Sequence, residues 1–163
     1  MYMLGVCLLY VGIVLINNGI TRLYKIDGKS SSIMNIFAGL LSIVINIISL
    51  VKGDYYSAGT GLLFGFTYLF VAINGIYKLD QRPFGWYSLF VAINTIPFAI
   101  VDHNNGDWKM TTIWLLWGIL WFTGFLENVC EKNLEKYVPY LSIFEGIFTG
   151  WIPGLLMILN IWN

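Results

Sequence analysis

Glu145 stands about two turns inside a long apolar run that starts at Pro139, and no other ionisable side chain lies so far inside such a run. A carboxyl group in hydrocarbon is costly and marks a functional position by default. It can face a water-filled path and accept hydrogen bonds from a passing solute, or it can be protonated or paired and tie helices together. No Lys or Arg lies at matching depth to pair with it, which favours the path. Trp114, Trp117 and Trp121 recur at i, i+3 and i+7, so on a helix they project within roughly 60° of one another. Interfacial anchoring accounts for Trp114 at best. Trp117 and Trp121 fall near mid-membrane, where an indole N–H needs a partner or water. Judged alone, the stripe is explained equally by bulky packing and by a pore lining. Leu4, Leu8, Val11 and Leu15 form an aliphatic stripe, and Phe66 and Phe70 add two rings.

Other chemistry lacks its residues. The single His, His103, and the two Cys, Cys7 and Cys130, leave no cluster for a zinc or iron site. The two Cys fall at opposite ends of their apolar runs, too far apart for a disulfide. There is no Walker A sequence, no Ser/His or Asp/Asp constellation inside the runs, and no row of acids to relay coupling ions. Nine basic and nine acidic residues cancel, so no net field holds nucleic acid. No enzyme, metal or cofactor is implied. A tight aromatic and leucine passage with few hydrogen-bonding positions penalises ions, which lose hydration without recompense, and suits a small flat amide.

The elements that must position these residues follow from composition. At 58% apolar and 11% charged in 163 residues, the chain departs from the roughly 45–50% and about 25% of soluble domains. Apolar runs at 3–21, 33–51, 58–77, 85–101, 110–129 and 139–162 each match the roughly 20 residues of a helical crossing. This predicts an all-α integral membrane protein, with six helices in one bundle and one domain over 1–163. The first run has no basic n-region and no small-residue cleavage site, and reads as a retained helix.

Orientation comes from the basic residues. The connectors after runs one, three and five hold Arg22, Lys25, Lys29, Lys78, Arg82, Lys132 and Lys136; those after two and four hold Lys52 and Lys109. The positive-inside rule then puts the odd connectors in the cytoplasm and both termini outside. Tyr24, Tyr77, Trp86, Tyr87, Tyr137 and Tyr140 would mark the inner interface, and Tyr2, Tyr55, Tyr56, Trp108 and Trp162 the outer one.

Residues 69–74 recur as 89–94, LFVAIN in both, which is either coincidence in a restricted alphabet or a duplicated helix. Gly146, Gly150 and Gly154 in run six, and Gly61 with Gly65 in run three, predict close helix approach. Glu145 lies about 100° round from Gly146 and can face a lumen while the glycines face a neighbour. Pro97 and Pro153 predict bends in the fourth and sixth helices.

The strings LLYVGIVLI (8–16), TGLLFGFTYL (60–69), WYSLFVAINTIP (86–97) and WLLWGILW (114–121), with Glu145-Gly146 and Trp151-Ile152-Pro153, resemble the urea and amide channel family of the AmiS/UreI type. The match covers all six runs. The resemblance implies a homo-hexamer of six-helix protomers, each with its own pore, around a lipid-filled centre in the bacterial cytoplasmic (inner) membrane. It implies passage of urea or short aliphatic amides towards a cytoplasmic urease or amidase. It places the pore lining and solute contacts on Leu4, Leu8, Val11, Leu15, Phe66, Phe70, Trp114, Trp117, Leu120, Trp121 and Glu145. At Phe70 the family's acid-gated relative has Tyr. That relative also has a long histidine-bearing connector after its second helix, whereas 52–57 is six residues without His. Acid gating between about pH 5 and 7 needs groups that titrate there, chiefly His, so the expectation is a passive channel without acid gating. The alternative is a proton-coupled small-amide transporter with Glu145 as its titrating site. An intramembrane enzyme or a purely structural subunit has no residue in its favour beyond Glu145.

Overall fold

The structure, a computed structural model, describes residues 2–162, and the expectation for the Tyr2 side chain lies outside the described residues. Among those residues the chain is all-α. Helices α1 (Tyr2–Leu23), α2 (Gly28–Val51), α3 (Tyr55–Tyr77), α4 (Arg82–Asn104) and α5 (Trp108–Asn128) are followed by α6 (Val138–Glu145), a π-helical segment (Gly146–Trp151) and α7 (Ile152–Ile158). The last three run on as one apolar span, Val138–Ile158, so six segments of the described chain are long and apolar enough to cross a membrane.

Four helices start two to five residues before their apolar runs, at Gly28, Tyr55, Arg82 and Trp108. For α2, α3 and α5 capping is the reason. The Asp27 carboxylate accepts the Lys29 and Ser30 amides at 3.0 and 3.1 Å, Asp54 accepts Ser57 N–H at 3.1 Å, and Asp107 accepts Met110 N–H at 2.9 Å. First-turn amides have no partner inside the helix, so a polar side chain just ahead of the apolar run extends it backwards. Pro83 sits in the first turn of α4, where its missing N–H costs nothing.

The sixth span corrects the expectation of one helix reaching Trp162. It ends at Ile158, because Asn160 adopts a left-handed φ of 59° and Ile161 N–H turns back to the Leu156 carbonyl at 2.9 Å, a C-terminal stop. Ahead of Pro153 the backbone widens instead, with Ile152 N–H bonded to the Ile147 carbonyl five residues back. Proline has no donor and clashes with the preceding turn, and a π-helical turn absorbs that misfit. Pro97 lies inside an α4 that runs on past it to Asn104.

The chain divides into two compact units, Met1–Leu79 with Ser142–Asn163, and Asp80–Leu141. In the first, α1 packs against the π-helical segment, α7 and α2, and α2 pairs with α3. The expected glycine groove of the sixth span lies on α1: a Cβ on Gly146 would fall 2.8 Å from the Gly12 carbonyl oxygen, and one on Gly154 2.8 Å from that of Gly5. Gly65 on α3 likewise meets Ile43 of α2, at 2.8 Å from a built Cβ, and Gly61 meets Asn46. Backbones this close exclude larger residues. Polar side chains join the same helices: Ser32 Oγ donates to the Ala72 carbonyl at 3.0 Å, and Ser42 Oγ to that of Gly61 at 3.1 Å. In the second unit α4 pairs with α5: a Cβ built on Gly124 would fall 2.9 Å from Ser88 Oγ, and one on Gly85 2.7 Å from Val129 Cγ2. The repeated hexapeptides agree in burial at Ala72 and Ala92, inside, and at Ile73 and Ile93, exposed, but Phe90 is exposed and Val91 buried where Phe70 and Val71 are half-buried.

Candidate functional site

In the first unit the site is built around Glu145, the last residue of α6 before the backbone widens. Its neighbours on the helix are fixed by α1. Ser142 Oγ donates to the Leu15 carbonyl at 2.8 Å, and Gly146 lies against Gly12 and Ile16. Glu145 itself is fully buried. Neither of its carboxyl oxygens has a hydrogen-bond partner among the described residues, while its main-chain carbonyl accepts the Thr149 hydroxyl at 2.6 Å. Buried polar atoms are nearly always satisfied, so two open acceptor oxygens mark a place where a donor belongs.

Tyr68 of α3, in the same unit, is almost wholly buried. Sequence reasoning passed over Tyr68. The signal was its phenol in mid-span, between Phe66 and Phe70, since a hydroxyl in an apolar segment needs a polar neighbour.

The aliphatic stripe of α1 is not uniform. Leu8, Val11 and Leu15 are buried, whereas Leu4 is 42% exposed. On α3, Phe66 is 50% exposed and Phe70 half-buried. Leu8, Val11, Leu15 and Glu145 thus stand in the core of this unit, and Leu4 and Phe66 on its surface.

In the second unit, Trp114, Trp117 and Trp121 of α5 are all buried, and Leu120 is half-buried. Trp114 differs from an interfacial anchor: its indole Nε1–H donates to Asp102 Oδ2 at 2.9 Å. Its ring centroid is 5.0 Å from that of Phe98 and 5.0 Å from that of Trp117, the latter edge-to-face at 88°. Hydropathy put Asp102 in a connector, but it belongs to the last turn of α4. Only the tight turn from α4 into α5, with residues 102 and 114 flanking it, could have signalled the pairing. His103, next to it, is exposed.

These groups offer ring faces, aliphatic walls and one carboxyl acceptor. No nucleophile and base are paired among them, and among the described residues no cluster of three His, Cys, Asp or Glu could hold a metal. Cys7 and Cys130 are both free thiols. Within the first unit, the Glu145 carboxyl beside aliphatic side chains can accept a hydrogen bond from an uncharged donor.

Comparison with known proteins gives a consistent answer. The sequence model described as AmiS/UreI family transporter matches residues 3–161. The chain is 47% identical to the acid-activated urea channel of Helicobacter pylori (strain ATCC 700392 / 26695) over 195 aligned positions, covering 98% of this chain and all of that one. It is 37% identical to a putative amidate substrates transporter protein of Mycolicibacterium smegmatis, covering 98% of this chain and 78% of the relative. Among solved structures, the crystal structure of the urea channel from the human gastric pathogen Helicobacter pylori superposes with a TM-score of 0.92 at 48% identity, covering both chains completely. The cryo-EM structure of that channel in its closed state gives the same TM-score and identity, covering 98% of this chain and all of the other. An alignment of 195 positions holds at most 163 residues of this chain, so at least 32 residues of the gastric channel have no counterpart here.

Proposed function

Because the chain belongs to the AmiS/UreI family of multi-pass membrane transporters, we propose that it is a passive channel for urea and for short-chain amides, open at neutral pH without acid gating. The observation that carries this reading is the end-to-end similarity to a urea channel at 47% identity. The amidate transporter among its relatives supports a solute range that includes amides.

In the first unit the proposed lining is Leu4, Leu8, Val11, Leu15, Phe66, Phe70 and Glu145; in the second it is Trp114, Trp117, Leu120 and Trp121. Aromatic and aliphatic walls give an ion nothing in exchange for its hydration, which costs far more than stripping a neutral amide. A planar amide keeps van der Waals contact with ring faces and donates its N–H groups to the open Glu145 oxygens. The exposed Leu4 and Phe66 fit this role as surfaces for solute or for another protomer. The protein works as a hexamer in the bacterial inner membrane with both termini outside, delivers solute to a cytoplasmic urease or amidase, and performs no catalysis of its own.

The test is stopped-flow permeation of urea, acetamide, glycerol and ions into proteoliposomes. Rapid urea and acetamide entry with ions excluded is expected, and absence of flux from the purified protein would defeat the reading. Trp121→Ala and Leu15→Ala should each change flux or selectivity without preventing assembly; unchanged transport in both would remove the lining assignment. The buried, open Glu145 carboxyl supports one rival, a proton-coupled transporter. Uphill accumulation of urea driven by a pH gradient would decide for that rival.

A further inference from the structure

Asp102 is held more firmly than a connector residue would be. Its main-chain carbonyl accepts Asp107 N–H at 2.9 Å, and Asn105 N–H returns to Val101 at 3.1 Å. Gly106, at φ 80°, makes the reversal, and the Asp107 carboxylate fixes the start of α5 at Met110. From this mount the Asp102 side chain crosses from α4 to α5 and its Oδ2 accepts a hydrogen bond from the Trp114 indole Nε1–H at 2.9 Å. The Trp114 ring is held between Phe98 and the edge-to-face Trp117.

We propose that Asp102 is a specificity-determining positioning residue, which holds Trp114 so that permeating solute meets its ring face and not its N–H. This rests on the reading of Trp114 and Trp117 as lining residues. An indole has one donor and no acceptor. While Asp102 holds that donor, Trp114 offers no hydrogen bond to water, to a polyol or to a solute carbonyl. A flat amide loses little by this, because ring faces satisfy it by dispersion. Glycerol, which needs several bonds to replace its hydration, loses more. Without Asp102 the buried indole N–H requires another partner. The ring then turns towards the path, carrying its edge contact with Trp117, and discrimination between urea and glycerol falls.

The experiment measures urea and glycerol permeability of the full chain in proteoliposomes, normalised to assembled protein. Asp102→Leu should lower the urea-to-glycerol ratio about fivefold or more, the scale of one lost ordinary hydrogen bond. Asp102→Asn, which keeps an oxygen acceptor, should stay within about twofold of wild type. In a Trp114→Phe background, with no indole proton to hold, adding Asp102→Leu should change the ratio by less than about twofold, as expected of two residues acting through one contact. If the Leu variant does not assemble, Asp102→Ala serves in its place. A wild-type ratio in the Asp102 variants while Trp114→Ala alters it would overturn the inference and leave the lining assignment standing. An equal fall in the Asn and Leu variants that persists in the Trp114→Phe background would also overturn it, because Asp102 would then act by its charge alone. Unchanged ratios in both Trp114→Ala and Trp117→Ala would remove the lining assignment itself.

Discussion

The α-carbon of Gly12 lies 2.6 Å from where a Cβ on Gly150 would stand. Real Cβ atoms do not approach that closely, and the obstacle is main chain, which cannot rotate away. Gly150→Ala should therefore force α1 off the π-helical segment, destabilising the protein by about 1–3 kcal/mol, the usual range for overpacking. Gly59 is the control, since a Cβ there meets nothing within 4 Å, and Gly59→Ala should be neutral or slightly stabilising. Unfolding in detergent titrated with SDS measures both. Equal midpoints for the two variants would show that the contact at Gly12 yields without cost.

The sequence makes much of this legible for definite reasons. Hydropathy over 20-residue windows finds the six spans because no other solution satisfies a backbone in hydrocarbon, and small residues at four-residue spacing find the faces that α1 and α2 approach. Helix starts escape such windows, because Asp27, Asp54 and Asp107 are charged and yet act as caps. The stop at Asn160 depends on a backbone angle that hydropathy does not carry. At the site, Glu145 is visible as an isolated charge and the tryptophans as a helical stripe. Asp102 is not, since it matters through a partner on another helix, Trp114.

Urea flux at pH 7.5 and at pH 5 should agree within about twofold. His103 is the one His of the chain, and at least 32 residues of the acid-activated relative have no counterpart here. Three carboxylates outside the spans, Asp27, Asp54 and Asp80, add nothing in that window. Hydrogen bonds from Ser57 hold Asp54, and those from Ser30 and Lys29 hold Asp27, below their ordinary value of 3.8. Hydrogen bonds from Arg82 pull Asp80 down to about 2. A lowered carboxylate stabilises the fold above its ordinary value and loses that effect only as pH falls through the lowered one. For Asp80 the loss runs from 3.8 down to about 2, well under pH 5. A several-fold rise in flux on acidification, measured in proteoliposomes, would sink the expectation of an ungated channel.

Glu145 separates a channel from a coupled transporter by substitution. Gln has the same shape and keeps one carbonyl acceptor, so Glu145→Gln should lower urea flux by no more than a few-fold. Leu has no acceptor. An ordinary hydrogen bond is worth about 0.5–1.5 kcal/mol, so Glu145→Leu should lower urea flux by about threefold to tenfold. Flux under equal pH on both sides is the measurement. Indifference to both substitutions would show that the solute does not meet this carboxyl. If Glu145→Gln abolishes an accumulation that wild type shows under a pH gradient, proton coupling replaces passive passage.

Asn18 and Asn35 offer a test of how α1 is held to α2. Asn18 Nδ2 donates to Asn35 Oδ1 at 3.0 Å, and Asn35 Nδ2 donates back at 2.7 Å while also reaching the Ser31 carbonyl at 3.0 Å. Asn35 is fully buried, so its amide oxygen is satisfied only while Asn18 faces it. Asn35→Leu leaves the Asn18 amide facing an apolar side chain, and Asn18→Leu does the same to Asn35. Each single change should destabilise the protein, and the double change should cost less than the two together, because it strands neither amide. Interhelical hydrogen bonds in membranes couple by about 0.6 kcal/mol on average and up to about 1.7. With two bonds exchanged, a coupling of about 1–2 kcal/mol is expected from a double-mutant cycle in SDS unfolding. Urea flux per assembled protein should be unchanged in all three variants, since neither residue is placed among those that meet the solute. Additive losses would show that the amides act independently, and altered flux would draw Asn18 and Asn35 into the path.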